Sequence, residues 1–362
     1  MRRVVSSSME NPAVLASDAA QIYQTIMDSS WKVSGCGLGQ GALSCALFLS
    51  QYAASFEKVD LTAKIQELFD RGCHSVVSGK TCWLDFADLA LVTPKLSAQG
   101  FIQIEQEHFF EDIDKLALAA IKHPGRIAGF ENSEMGAVLY GLRRFNAGAA
   151  HFSRPIRQFA SALADAADLT FGAAENENEN LRTGLSAPLL CASVFAEIGL
   201  MDEMEGIAGV ETLARRVCEN VDGLASVQVN PGFQTGELGK GYALLRAGMC
   251  FQQGEWMTTG LQIVIDCAYA VLDQGISTLD MASGAAGVAL AFDKLYRLSG
   301  YEIFKTVASK VRWLSLKAGV IIDDRHIDRG YSFYHGLSGI GLATLYWQQG
   351  PPEELDDFLW LL

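Results

Sequence analysis

Proline, histidine and cations are scarce in this chain. Eight prolines in 362 residues leave long helices few interruptions, because proline removes an amide donor and breaks a helix interior. Lys and Arg number 28 against 42 Asp and Glu, a formal net charge of −14. That balance repels polyanions, so neither nucleic acid nor an anionic membrane surface is expected as a partner. No apolar run reaches the ~18 residues of a membrane span. Arg2 and Arg3 are followed by serine-rich and soon acidic sequence, not by the apolar core of a secretory signal. The eight cysteines (Cys36, Cys45, Cys73, Cys82, Cys191, Cys218, Cys250 and Cys267) contain no Cys-x-x-Cys and no spacing of a disulfide framework or zinc knuckle. They read as reduced core residues, and a cytoplasmic location is expected.

What the chain does have is glycine, 35 of them, in a recurring setting. Gly336, Gly339 and Ala343 lie at i, i+3 and i+7, one small-residue face at the start of an apolar helix. The same face returns as Gly284, Gly287, Ala291, as Gly236, Gly239, Ala243, and as Gly184, Ala187, Cys191. Each helical glycine costs about 1 kcal/mol relative to alanine, so a sequence that keeps several needs another backbone close by. Followed by its second small residue, the pattern runs Gly339, Gly287, Gly239, Ala187, Gly136, Ala87 and Gly39. That is seven units of about fifty residues, the signature of a solenoid or a closed ring. Such a ring grows by adding neighbours, so one domain spanning residues 1–362 is expected.

Between the glycine-led helices lie amphipathic ones, such as Leu61–His74 and Ile303–Ala318, which belong outside. The second inner helix is expected to stop at Thr93-Pro94, and a polar stretch from Gln103 leads into a helix over 113–122. Short strands are possible readings of 227–229 and 320–322. The low-complexity stretch from Phe171 to Asn180, rich in Glu-Asn, reads as a solvated polar linker before the fourth unit, in preference to a loop that gates a ring mouth. The class is all-α, an α/α toroid with about seven inner and seven outer helices.

The stretches Gly-Leu-Ser-Gly-Ile-Gly-Leu-Ala-Thr-Leu at 336–345 and Gly-Ala-Ala-Gly-Val-Ala-Leu-Ala-Phe at 284–292 resemble the repeats of lanthionine synthetase C-like proteins, the LanC-type cyclases. The resemblance implies a double ring of helices with the glycine-rich helix starts gathered at one mouth. It also implies a ribosomally made precursor peptide as partner, with a dehydratase or other peptide-modifying enzyme beside it. Family members add cysteine thiols to dehydroalanine or dehydrobutyrine, and a zinc ion at the mouth normally deprotonates the thiol.

The sequence departs from that pattern at the metal positions. The family's Trp-Cys-Tyr-Gly is here Phe233-Gln234-Thr235-Gly236, its Cys-His-Gly is Ala282-Ser283-Gly284, and its acid/base His-Gly is Thr183-Gly184. No metal or other cofactor is therefore expected. One histidine, His335, stands at the corresponding place in the seventh repeat. Cys73-His74 ends an outer helix and is set aside as a metal pair.

Two readings follow. The first is a metal-independent cyclase, for which the resemblance offers the class III lanthipeptide synthetases as precedent. Its candidates are His335 as base, Tyr334 or Arg182 as stabiliser of the developing enolate, and Gln234, Thr183, Ser283 and Asp280 as groups that bind the substrate. The second is a non-catalytic peptide-binding scaffold. Two further toroid chemistries rank lower: an aspartate cluster at Asp323, Asp324 and Asp328, and a glycosidase-like carboxylate pair drawn from Glu131, Glu134, Glu237 and Asp280.

Overall fold

The computed structural model describes residues 12–29, 37–56, 60–78, 82–122, 127, 129–131, 134–164, 180–201, 207–219, 229–318 and 330–349. The Asp323–Asp328 cluster, most of the Glu-Asn loop and the stretch 320–322 lie outside these residues. Among the described residues there is no β-strand, Val229 included.

Seven helices are buried nearly all round: α3 (Ala42–Ser55), α5 (Trp83–Ala98), α7 (Met135–Asn146), α9 (Ser186–Glu197), α11 (Glu237–Cys250), α13 (Ala285–Ser299) and α15 (Leu337–Gln349). Leu238 to Gly248 of α11, for example, are all buried. A helix apolar on every side belongs in an interior. Seven others bury one stripe and present charge elsewhere: α1 (Pro12–Ser29), α4 (Thr62–Ser78), α6 (Gln106–Lys122), α8 (Ser153–Ala164), α10 (Ile207–Glu219), α12 (Gly254–Gln274) and α14 (Glu302–Ala318). A single turn, α2 (Gly37–Gln40), precedes α3. Inner and outer helices alternate along the chain. The ring closes because α1 packs on α15 and α15 packs on α3. No helix of the described residues is long and apolar enough to cross a membrane.

Two elements differ from the sequence reading. Helix α5 does not stop at Thr93 but runs through Pro94 to Ala98. Proline there forfeits one ladder bond, but Val92 and Leu96 on either side are fully buried, and their burial, roughly 2 kcal/mol each, carries the helix onward. Helix α6 begins at Gln106, well before the expected 113, because Phe109 and Phe110 pack inward, with Phe110 fully buried.

The loops that lead into the inner helices are joined head to tail by main-chain hydrogen bonds. Glu131 N–H donates to Arg182 O (3.0 Å), Arg182 N–H to Gln234 O (3.1 Å), Gln234 N–H to Ala282 O (2.9 Å), Ala282 N–H to Tyr334 O (3.0 Å), and Phe333 N–H to Leu38 O (2.8 Å). The last link uses a side chain: Leu38 N–H donates to Asp88 Oδ2 at 2.9 Å. This girdle fixes the repeat register. Five residues hold the same place in their units: Glu131, Arg182, Gln234, Ala282 and Tyr334. In these five units the register matches the small-residue pattern. In the first unit it does not, since Leu38, not a residue five before Gly39, takes the place. Gly37 (φ 68°) and Gly41 (φ 131°) are turn glycines there, which side chains tolerate poorly, and they obscured the packing position.

Candidate functional site: the ring mouth

Three of the lead-in loops curl back on themselves around a polar side chain two residues before the girdle position. Asp280 Oδ1 accepts from the N–H groups of Ala282 (3.1 Å), Ser283 (2.9 Å) and Gly284 (3.1 Å). Asn180 Oδ1 does the same for Arg182 and Thr183, both 2.9 Å, and Ser332 Oγ accepts from His335 N–H at 3.0 Å. Asp and Asn favour such turns because a short acceptor reaches the backbone two or three residues on. Asp280, expected among the substrate-binding groups, is thus buried and engaged by its own loop.

The residue after each girdle position is half-exposed in the four best repeats: Thr183, Thr235, Ser283 and His335. Thr235 and Ser283 pair their hydroxyls at 2.6 Å. Thr183 Oγ1 donates to Asn180 Oδ1 at 3.2 Å. The structure brings His335 together with Arg182 and Asp280. Arg182 Nη1 lies 3.2 Å from His335 Nε2, although the two are 153 residues apart in sequence. The guanidinium is held in turn by Glu131, with Nε to Oε2 at 2.5 Å and Nη2 to Oε1 at 2.7 Å. Guanidinium nitrogens only donate, so His335 Nε2 is the acceptor and the imidazole proton sits on Nδ1. Nδ1 faces Asp280 Oδ1 at 4.0 Å. The result is a chain of groups, Glu131, Arg182, His335 and Asp280, drawn from the third, fourth, seventh and sixth units. Glu131 raises the affinity of Arg182 for its proton, chiefly through their hydrogen bonds, so the mouth carries a permanent cation.

Tyr334 does not join them. Its hydroxyl is directed at Asp88 Oδ1, 3.4 Å away, and the ring is buried. Asp88 also accepts from Arg143 Nη1 at 3.0 Å. Burial pushes the Asp88 carboxyl up to about 6, against the pull of Arg143 and the Leu38 amide. The phenol therefore belongs to this network inside the ring. Gln234 is buried, and among the described residues its Nε2 has no hydrogen-bond partner.

Two residues of the mouth carried no weight in the sequence reading. Glu131 was named only as a loose carboxylate, although an acid and a base at the same place in consecutive repeats was the available signal. Cys82 stands at the N-cap of α5. Its Sγ lies 3.4 Å from Asp85 Oδ2, and burial, then Asp85, pushes the thiol up to about 11. It stays protonated near neutrality. Of the other carboxylates, Glu134 stands at the N-cap of α7 and Glu237 pairs with Lys240 at 3.5 Å.

A comparison with solved structures finds nisin cyclase at a TM-score of 0.69, covering 97% of this chain and 98% of that one at 14% identity. The chain has the fold of nisin cyclase. No protein-family model matches the sequence, and no curated protein matches it either.

The zinc that the LanC resemblance brings with it does not fit the donors present. The three places where that resemblance puts ligands hold Gln234, Ala282 and Ser283, which offer an amide, a methyl and a hydroxyl already paired with Thr235. Catalytic zinc needs about three thiolate, imidazole or carboxylate ligands. Among the described residues of the mouth the imidazole is that of His335, and it faces the Arg182 guanidinium, which repels a second cation. Among the described residues no three His, Cys, Asp or Glu side chains are grouped to hold a metal. Metal analysis after dialysis is expected to find no stoichiometric zinc. One zinc per chain, released by a chelator, would mean that the ligands lie elsewhere in the molecule.

Proposed function

We propose that the chain acts on a ribosomally made precursor peptide and closes thioether rings without a metal, by adding a cysteine thiol to a dehydroamino acid at the ring mouth. The fold of nisin cyclase supports the substrate class. The observation that carries the chemistry is the contact between Arg182 and His335, a fixed cation against a proton acceptor at a half-exposed position.

In the step envisaged, Arg182 leaves His335 Nε2 for the substrate carbonyl, the freed Nε2 takes the thiol proton, and the sulfur forms a bond to Cβ of the dehydroamino acid. The π electrons of that residue move onto its carbonyl oxygen, and the enolate is then protonated at Cα. A free thiol near pKa 8.5 is mostly protonated at neutrality, so a base in contact with it is needed. Arg182 is placed to stabilise the enolate oxygen. Glu131, by a two-point ion pair, sets the plane of the guanidinium.

With a dehydrated precursor as substrate, His335→Ala is expected to lower the rate of thiol consumption by about 10²-fold or more. Arg182→Lys should lower it as well, since lysine cannot satisfy Glu131 and His335 together. Thiol alkylation followed by mass spectrometry reads both. The scaffold reading is favoured by a separate observation, the neutral hydroxyls of Thr183, Thr235 and Ser283 around the mouth. Its signature would be wild-type protein that binds the precursor but consumes no thiol, with His335→Ala indistinguishable from it.

A further inference from the structure

On the outer wall, helices α6 and α8 border a groove of about 740 Å³, within the ~300–1,000 Å³ usual for ligand sites. Its floor is apolar: Leu118 and Ile121 from α6, Pro155 and Phe159 from α8. Its titratable lining is entirely cationic in kind, with Lys122, His151 and Arg154. This is unusual on a chain of net charge −14. Helix α8 carries two arginines and no acid. Lys122 and Arg154 are exposed, and among the described residues neither forms an ion pair. A carboxylate does reach the rim: Asp114 lies 3.2 Å from His151 Nε2. It is already neutralised by Arg144 through two hydrogen bonds of 3.0 and 2.9 Å, and Tyr140 donates to it as well. The rim therefore keeps a positive field, and such fields select and steer acidic partners.

Lys122 ends α6, nine residues before Glu131 of the girdle in sequence. We propose that this groove binds an acidic, amphipathic segment of the peptide whose other part enters the mouth, with carboxylates on Lys122 and Arg154 and apolar side chains on Leu118, Ile121 and Phe159. The peptide as ligand rests on the function proposed above; the acidic, amphipathic character rests on the groove.

The probe is a fluorescein-labelled synthetic peptide in which Glu and Leu recur at helical spacing, with a Lys-for-Glu version as control, titrated into the full chain and read by anisotropy. The acidic peptide is expected to bind at least about tenfold more tightly than the basic one. Arg154→Glu and, separately, Lys122→Glu should each weaken it about tenfold, and added salt should weaken it further. Both positions are exposed, so each variant should keep the thermal midpoint of the parent. Equal binding of the two peptides, or no response to either charge reversal, overturns the proposal, as does displacement of the acidic peptide by an oligonucleotide but not by unlabelled peptide. The two readings fail separately. Thioether formation on a short dehydrated peptide lacking any acidic stretch should be unchanged in Arg154→Glu. Absence of that chemistry in the wild type, with acidic-peptide binding intact, would remove the cyclase reading and leave the groove.

Discussion

Gly287→Leu should destabilise the protein by about 3 kcal/mol or more, enough to abolish a cooperative thermal transition in a domain of ordinary stability. The sequence calls for another backbone close to these glycines, and the structure shows which one it is. A Cβ on Gly287 would lie 1.9 Å from Met281 O, the carbonyl six residues earlier in its own lead-in loop. The same collision recurs at Gly239 with Phe233 O (2.0 Å) and at Gly339 with Phe333 O (1.8 Å). Backbone faces backbone, so no side chain can yield. Because the Cβ itself collides, Gly287→Ala should also be costly, although alanine is the better helix former. Gly254, the first residue of α12, has nothing within 4 Å of a built Cβ. Gly254→Ala is therefore expected to be neutral or slightly stabilising. If thermal scans showed Gly287→Ala to be equally harmless, the close approach of loop and helix would be wrong.

Arg143→Met should cost about 3–5 kcal/mol near neutral pH, because it leaves the buried Asp88 carboxylate without its counterion. Both side chains are buried, and they meet at 3.0 Å. The pH dependence has a definite sign. Burial raises Asp88 above the ordinary 3.8 to about 6, so the folded chain takes up this proton more readily than the unfolded one. The stability gained from it is full below about 3.8 and lost as pH rises through about 6. Arg143 opposes the rise, and without it the folded value climbs further. The gap between wild type and Arg143→Met should therefore widen as pH increases beyond about 6 and narrow below it, where the carboxyl is protonated in both. Denaturant midpoints at a series of pH values test this, with an unchanged slope showing that the unfolded state is the same. A gap that grows on acidification would show that Asp88 is not the group left behind.

The ring was legible in the sequence wherever a glycine answers to a single physical demand. Gly239, Gly287 and Gly339 are required by a carbonyl in contact, so their spacing reproduces the register of the girdle. The register failed in the first unit, where Gly37 and Gly41 serve turns and crowd the same short stretch. The mouth was only half legible. Register tells which residues stand around it, but not which long side chain reaches across, and nothing local in the sequence ties Arg182 to His335. Tyr334 shows the converse. It neighbours His335 in sequence, yet consecutive residues of a lead-in loop face opposite ways, and the phenol goes to Asp88. Proline at 94 misled because a local rule met a buried helix that tertiary packing keeps intact.

The girdle that links Glu131, Arg182, Gln234, Ala282 and Tyr334 is made by their amides and carbonyls, so it makes no demand on what those residues carry. Glutamate, arginine, glutamine, alanine and tyrosine occupy equivalent seats without altering the frame. A lineage of such proteins could exchange the reactive equipment of the opening one seat at a time while the scaffold stayed folded. An engineer could do the same, installing thiols and imidazoles at Gln234, Ala282 and Ser283 without redesigning the helices beneath.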